Sequence, residues 1–148
     1  MAASLPSFGG IASRLVHEGL ISEEAMQKVL AESQQQKTNL IAYVVDNKLA
    51  QPDAVAWVIS REFGDPLIDL DAINVNYIPK EAVDEKIIRE FNILPIFQRG
   101  SRLFVAMSDT TRVDALDALR FGTRFTVETV VAEHHKIKSK KEKIFTTT

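Results

Sequence analysis

From Ile11 to Phe63 the apolar residues recur every three or four positions: Ile11, Leu15 and Val16; Met26, Val29 and Leu30; Leu40, Val44 and Val45; Val55, Val58 and Ile59. That spacing is the period of amphipathic helices and predicts four short ones. Ser22 stands where the second helix wants an N-cap, and Glu23 and Glu24 follow in the first turn, where the helix dipole favours anions. Pro52 suits the first turn of the fourth helix, and Gly64 followed by Pro66 ends it. Slid along itself so that Gly19 falls on Lys48, an offset of 48 − 19 = 29 residues, the segment repeats its pattern. Ile11 meets Leu40, Leu15 meets Val44, Val16 meets Val45, Leu20 meets Leu49, Met26 meets Val55, Val29 meets Val58 and Leu30 meets Ile59. This is a duplicated helix-turn-helix. Neither copy buries its stripe alone, so the two are expected to pack together as a four-helix unit over residues 1–64.

From Asp65 the period changes. Pro66 to Leu70 reads as a strand, and Glu81 to Phe91 as a helix with Ala82, Ile87, Ile88 and Phe91 on its apolar face. Ile93 to Gln98 and Leu103 to Ser108 read as a hairpin around Arg99-Gly100-Ser101-Arg102, where glycine permits the turn. Asp109 is placed to cap a helix through Val113, Leu116, Leu119 and Phe121, closed by Gly122. Phe125 to Val131 is strand-like, and the lysine-rich end reads as a last helix. The expected class is α+β: the four-helix unit, then a small α/β subdomain over 65–148 with a short mixed sheet and helices over one face.

Composition narrows the setting. Hydrophobic residues make up 45% and charged residues 26% of the 148 residues, which suits a globular chain rather than a disordered one. With no cysteine there is no disulfide or thiolate zinc site, and a reducing compartment, the cytoplasm, is the natural expectation. No apolar run approaches the roughly 20 residues that span a bilayer, and Met1 to Gly10 lacks the features of a signal peptide. A net charge of −2 offers no general attraction to nucleic acid. The lysines at 136, 138, 140, 141 and 143 lack interleaved aromatics and read as a solvated helix face.

Catalytic chemistry is not evident. No GxxxxGK[ST] phosphate loop occurs in the sequence. Gly9-Gly10 precedes a helix, which makes an anion site conceivable and a flexible entry the plainer reading. His134 and His135 are adjacent and do not share a helix face, so they make a poor metal pair, and His17 stands alone; all three read as surface residues. Asp69 and Asp71 can place two carboxylates on one side of a strand but define no reaction. No catalytic, cofactor or metal residue is therefore assigned. The repeat points instead to a partner, because equivalent positions in the two copies face alike. Arg14 aligns with Tyr43 and Lys28 with Trp57, so copy two carries aromatics where copy one marks outward-facing positions. Tyr43 and Trp57, with Ala54, Val58 and Arg61, are candidate anchors for a partner protein, the competing expectation being that they pack on the second half.

Leu15 to Glu24 in copy one, and Val44 to Ala50 with Ser60 to Gly64 in copy two, resemble the MshE-type N-terminal domain of secretion and pilus ATPases, whose copies read roughly RLGxxLVxxGxIxxxxLxxALxxQ. The second half, through Ile93-Leu94-Pro95-Ile96, Leu103 to Asp109 and Ala115 to Phe121, resembles the α/β domain that follows in these ATPases. The stretch Leu40 to Leu49 leading to Arg61-Glu62-Phe63-Gly64 is most similar to pilus extension ATPases. The resemblance implies a motor domain beyond residue 148 that uses ATP and magnesium, a parent homo-hexamer, and a cytoplasmic place against the inner membrane and its platform protein. It further implies a PilZ-type regulatory protein as partner, linked through FimX to cyclic di-GMP signalling and twitching motility. Two alternatives are a direct cyclic di-GMP sensor and the matching domain of a type II secretion ATPase. At the family's dinucleotide positions this chain departs: Gly10, Ala12 and Ser33 replace Arg, Gly and Gln in copy one, and Asn39, Ile41, Lys48 and Glu62 replace Arg, Gly, Gly and Gln in copy two. Glycine cannot supply an arginine's bidentate contacts, and isoleucine at a glycine position blocks close approach to the backbone. Gly19 alone keeps the family residue.

Overall fold

The expected helical repeat forms, and its two copies match down to their turns. A computed structural model describes residues 10–146; Gly9 and all but the last residue of the stretch read for a signal peptide lie outside them. Helices α1 (Gly10–His17) and α2 (Glu23–Gln35) form copy one, and α3 (Leu40–Asp46) and α4 (Pro52–Phe63) form copy two. The amide of Leu20 bonds the carbonyl of Leu15 and that of Gly19 bonds Val16; 29 residues on, Leu49 bonds Val44 and Lys48 bonds Val45. Each turn is a left-handed helix stop, with Gly19 at φ +80° and Lys48 at +57°. The Ser22 hydroxyl accepts from the Ala25 amide at 3.1 Å, Pro52 opens α4, and Gly64 at φ +78° closes it. Leu15, Met26, Val29, Ile41, Val44, Val55 and Ile59 bury together as one core.

The second half departs from expectation in several places. Pro66 to Leu70 does not extend as a strand: Leu67 makes one isolated bridge to Val131, and a 3-10 turn, Leu70–Ala72, follows. The cause is local, since the Asp69 carboxylate accepts from the Asp71 amide at 3.0 Å and turns the chain. Helix α5 (Glu85–Phe91) starts four residues later than Glu81, because Asp84 caps it at the Lys86 amide. Asp109 does not cap α6 (Val113–Gly122); its carboxylate accepts from the Thr111 amide at 2.9 Å and from the Thr111 hydroxyl, which builds a turn ahead of the helix. Gly122 is the last helical residue rather than a left-handed stop. A Cβ there would meet Ile87 Cδ1 at 2.6 Å, so the glycine lets α6 close on α5.

Strands β1 (Ile93–Arg99), β2 (Arg102–Met107) and β3 (Thr126–Val131) form a sheet in that order. The β1–β2 hairpin is antiparallel, turning at Gly100 (φ +60°), and β2–β3 is parallel across α6. Pro95 and a bulge beside it sit on the β1 edge, where a missing amide donor is tolerated. Helices lie on both faces rather than one. Ile88, Ala115 and Leu119 of α5 and α6 cover Leu103, Val105 and Met107. Ile137 and Ile144 of α7 (His134–Thr146), with Leu70 and Ile78, cover Leu94, Ala106 and Val130.

The lysines of α7 do more than face solvent. Lys136 lies 3.4 Å from Asp69, 3.0 Å from Asp71 and 3.1 Å from Glu133, and Lys141 reaches the Ile88 carbonyl at 3.3 Å. Burial, with Arg89 and Lys138 nearby, pushes the Lys141 amine down to about 8.

The halves meet at the end of β3. Val131 is fully buried in the core of the helical unit, while its neighbour Val130 joins the α7 side of the sheet. The Ile68 amide bonds the Val131 carbonyl at 2.9 Å, and the Val131 amide bonds Pro66 at 2.7 Å. Val131→Ala removes two buried methyl-sized groups from the joint and should cost about 2 kcal/mol, read as a lower urea midpoint at unchanged slope. An unchanged midpoint would contradict this packing.

Candidate functional site

The proposed anchors separate on the structure. Tyr43 is 9% exposed within the helical core, and its hydroxyl donates to the Glu32 carboxylate of α2, a bond that also raises the phenol pKa. The expectation that Tyr43 faces outward is corrected: equivalence with Arg14 breaks because an uncharged ring can enter the groove between α2 and α3. Val58 is likewise core, at 4% exposure, as its match with buried Val29 requires. Trp57 does face out, 48% exposed, with Ala54 half-buried and Arg61 exposed on the same helix. The Arg61 guanidinium lies 5.0 Å from the Trp57 ring centroid. Such a cation–π contact between exposed side chains favours this arrangement of the two over others by about 0.5–1 kcal/mol. Leu49 and Phe63 are further exposed apolar side chains of copy two.

Five of the positions where the resemblance implies dinucleotide contacts carry structural tasks here. Ala12 and Ile41 are buried in the helical core, Ile41 at 1% exposure, so no ligand reaches the backbone past them. The buried Ser33 hydroxyl bonds the Leu30 carbonyl at 3.2 Å. Asn39 caps α3 through the amides of Ile41 and Ala42. Glu62 lies 2.9 Å from Arg14 Nε, and Arg14 also meets Glu18 at 2.9 Å, so copy two's last helix is tied to copy one's first.

A second cluster lies where the halves face each other, beyond the carboxyl ends of parallel β2 and β3. A cavity of about 230 Å³ is lined by Asn39 and Ala42 of the helical unit and by Asn92, Ser108, Asp109 and His134, among others. His134, expected at the surface, is 7% exposed. Its Nδ1 faces Asn92 Nδ2 at 3.0 Å and the Ser108 hydroxyl at 3.4 Å, and its Nε2 lies 3.7 Å from Asp46 of α3. Its position after β3 brings it under the helical unit, a long-range fact that adjacency to His135 conceals; His17 and His135 are exposed. Asp69 and Asp71 come together around Lys136, as above. Among the described residues no group of three metal-ligating side chains is present, and no helix is long and apolar enough to cross a membrane.

With this geometry in view, the MshEN domain model matches residues 63–147, more than half of the chain. The chain belongs to the MshEN domain family. The match begins where α4 ends and so rests on the α/β half, while the helical repeat precedes it. The MshEN chain is 38% identical over 132 residues to the type IV pilus assembly ATPase PilB of Acinetobacter baylyi, covering 89% of this chain and 23% of that protein. It is 29% identical over 136 residues to PilB of Pseudomonas aeruginosa, covering 92% and 24%. The chain thus spans about a quarter of the length of the curated relatives it matches. In fold it is similar to the N-terminal domain of XpsE, with TM-score 0.73 at 19% identity over 93% of this chain and 97% of that one. It is also similar to MshE, solved with cdg, with TM-score 0.67 at 20% identity over 93% and 100%.

The two aromatics should respond differently to truncation. Tyr43→Ala is expected to lose about 3 kcal/mol of stability. Trp57→Ala should lose less than about 1 kcal/mol, as surface changes do. Thermal melts of the two variants check this, and a large drop for Trp57→Ala would mean that its ring is packed.

Proposed function

We propose that this MshEN chain is the regulatory and protein-docking domain of a type IV pilus assembly ATPase, and that the outer face of α4 receives a PilZ-type regulator. The observation that carries the reading is the Trp57–Arg61 pair: an exposed tryptophan stacked by arginine one turn away. Trp and Arg dominate the energetics of protein interfaces, and preorganised side chains lose little freedom on binding. The PilB relatives supply the pilus motor as context. In this reading FimX acts through the regulator to bring the motor under cyclic di-GMP control. ATP and magnesium are handled by a motor domain elsewhere in a hexameric parent at the cytoplasmic face of the inner membrane, beside the platform protein. The filled positions at Ala12 and Ile41 favour a protein over the dinucleotide itself as the direct ligand.

Calorimetric titration of this chain with a purified PilZ-type protein tests the reading. Binding is expected, and Trp57→Ala or Arg61→Ala should weaken it at least about tenfold, ~1.4 kcal/mol, with the melting temperature held. Heat with cyclic di-GMP alone and none with the PilZ-type protein overturns it in favour of a direct sensor.

A further inference from the structure

The joint between the halves has two unlike sides. One is apolar and tightly bonded: Val131 sits in the helical core, and the 66–68 segment pairs with it. The other is polar and open. Apart from the cavity, its side-chain contacts across the joint are long, Asn39 Nδ2 to Asp109 at 3.4 Å and His134 Nε2 to Asp46 at 3.7 Å. At the centre of this polar side stands His134, which touches the C-terminal end of α3 through Asp46 and the sheet through Asn92 and Ser108.

We propose that this polar side is a pH-sensitive latch: neutral His134 keeps the helical unit seated on the sheet, and protonation of His134 opens the cleft about the Val131 pivot.

The contacts fix the neutral form. Asn92 Nδ2 donates to His134 Nδ1, which places the ring proton on Nε2, toward Asp46. Protonation puts a second proton on Nδ1, against the Asn92 donor. The Asn92 Oδ1 now has no partner, and turning the amide to present it would give up the bond of Nδ2 to the His134 carbonyl at 3.3 Å. The charged groups around the ring do not compensate. From α3, Asp46 attracts the charge, but its side chain is half exposed and screened. On α7 itself, Lys138, Lys141 and His135 oppose the charge. Of the groups lining the cleft, Asp109 is already held by Thr111 and Asn39, Arg112 is paired with Asp114, and Lys37 and Glu90 bring opposite charges. Burial therefore dominates and holds the imidazole below its ordinary 6.5, with Asp46 opposing. Because the closed form binds the proton more weakly than an open form does, closure is favoured at neutral pH. It loses ground as pH falls below the ordinary histidine range.

Hydrogen exchange resolved by residue, corrected for intrinsic rates and compared at neutral pH and at about pH 5.5, tests the latch. Exchange should accelerate at residues 37–47, 90–92, 108–112 and 134–135 while the amides of α2 and of mid-β2 hold. The midpoint of that change should follow the His134 imidazole resonance in NMR titration, and His134→Gln should lose the pH dependence. An absent response, acceleration spread equally over α2 and β2, or a dependence that persists in folded His134→Gln overturns the proposal. If His134→Gln does not fold, a wild-type midpoint that tracks His17 or His135 instead of His134 overturns it.

Discussion

Val131 is where this molecule becomes one structure. As the last residue of β3 it finishes the parallel pair with β2, yet its side chain completes the core of the helical repeat. The repeat needs such a base. Its two copies close on each other through Leu15, Met26, Val44 and Val55, and the inner side of α4 is completed against β3 and α7. The same contact fixes which side of α4 remains outside, and that side carries Trp57 and Arg61. Docking surface and joint are thus two faces of one helix.

Duplication explains how so much of the helical half was legible. A pattern that repeats after 29 residues states twice which positions are buried, and turns equivalent at Gly19 and Lys48 follow from the same geometry. Propensity alone would not have placed Lys48 in a left-handed conformation. The repeat misled only where the copies differ chemically: Arg14 stays at the rim to pair with Glu18 and Glu62, whereas Tyr43 at the matching position turns inward to Glu32. A change from charged to aromatic is a change of side, and equivalence of position does not reveal it.

The α/β half was less legible because its decisions are made by short polar side chains and distant neighbours. Asp69, Asp84 and Asp109 each hydrogen-bond a backbone amide two residues on, ending or delaying an element that apolar spacing had extended. Helices on both sides of the sheet could not be separated from helices on one by periodicity, since α6 and α7 each show a single apolar stripe. His134 read as a surface residue because the groups that enclose it are far off in the chain: Ser108 by 26 residues, Asn92 by 42 and Asp46 by 134 − 46 = 88.

Function follows from what these constraints leave free. Of the positions where the resemblance implies dinucleotide contacts, Ala12, Ser33 and Ile41 are buried, Asn39 caps α3 and Glu62 pairs with Arg14, while among the described residues Trp57 and Arg61 stand exposed on α4 with a cation–π contact between them. The most direct measurement is an amide chemical-shift map of the isotope-labelled chain as an unlabelled PilZ-type protein is added. The account predicts perturbations centred on Ala54, Trp57 and Arg61 of α4. Perturbations centred on α6 or the sheet, with α4 silent, would contradict it.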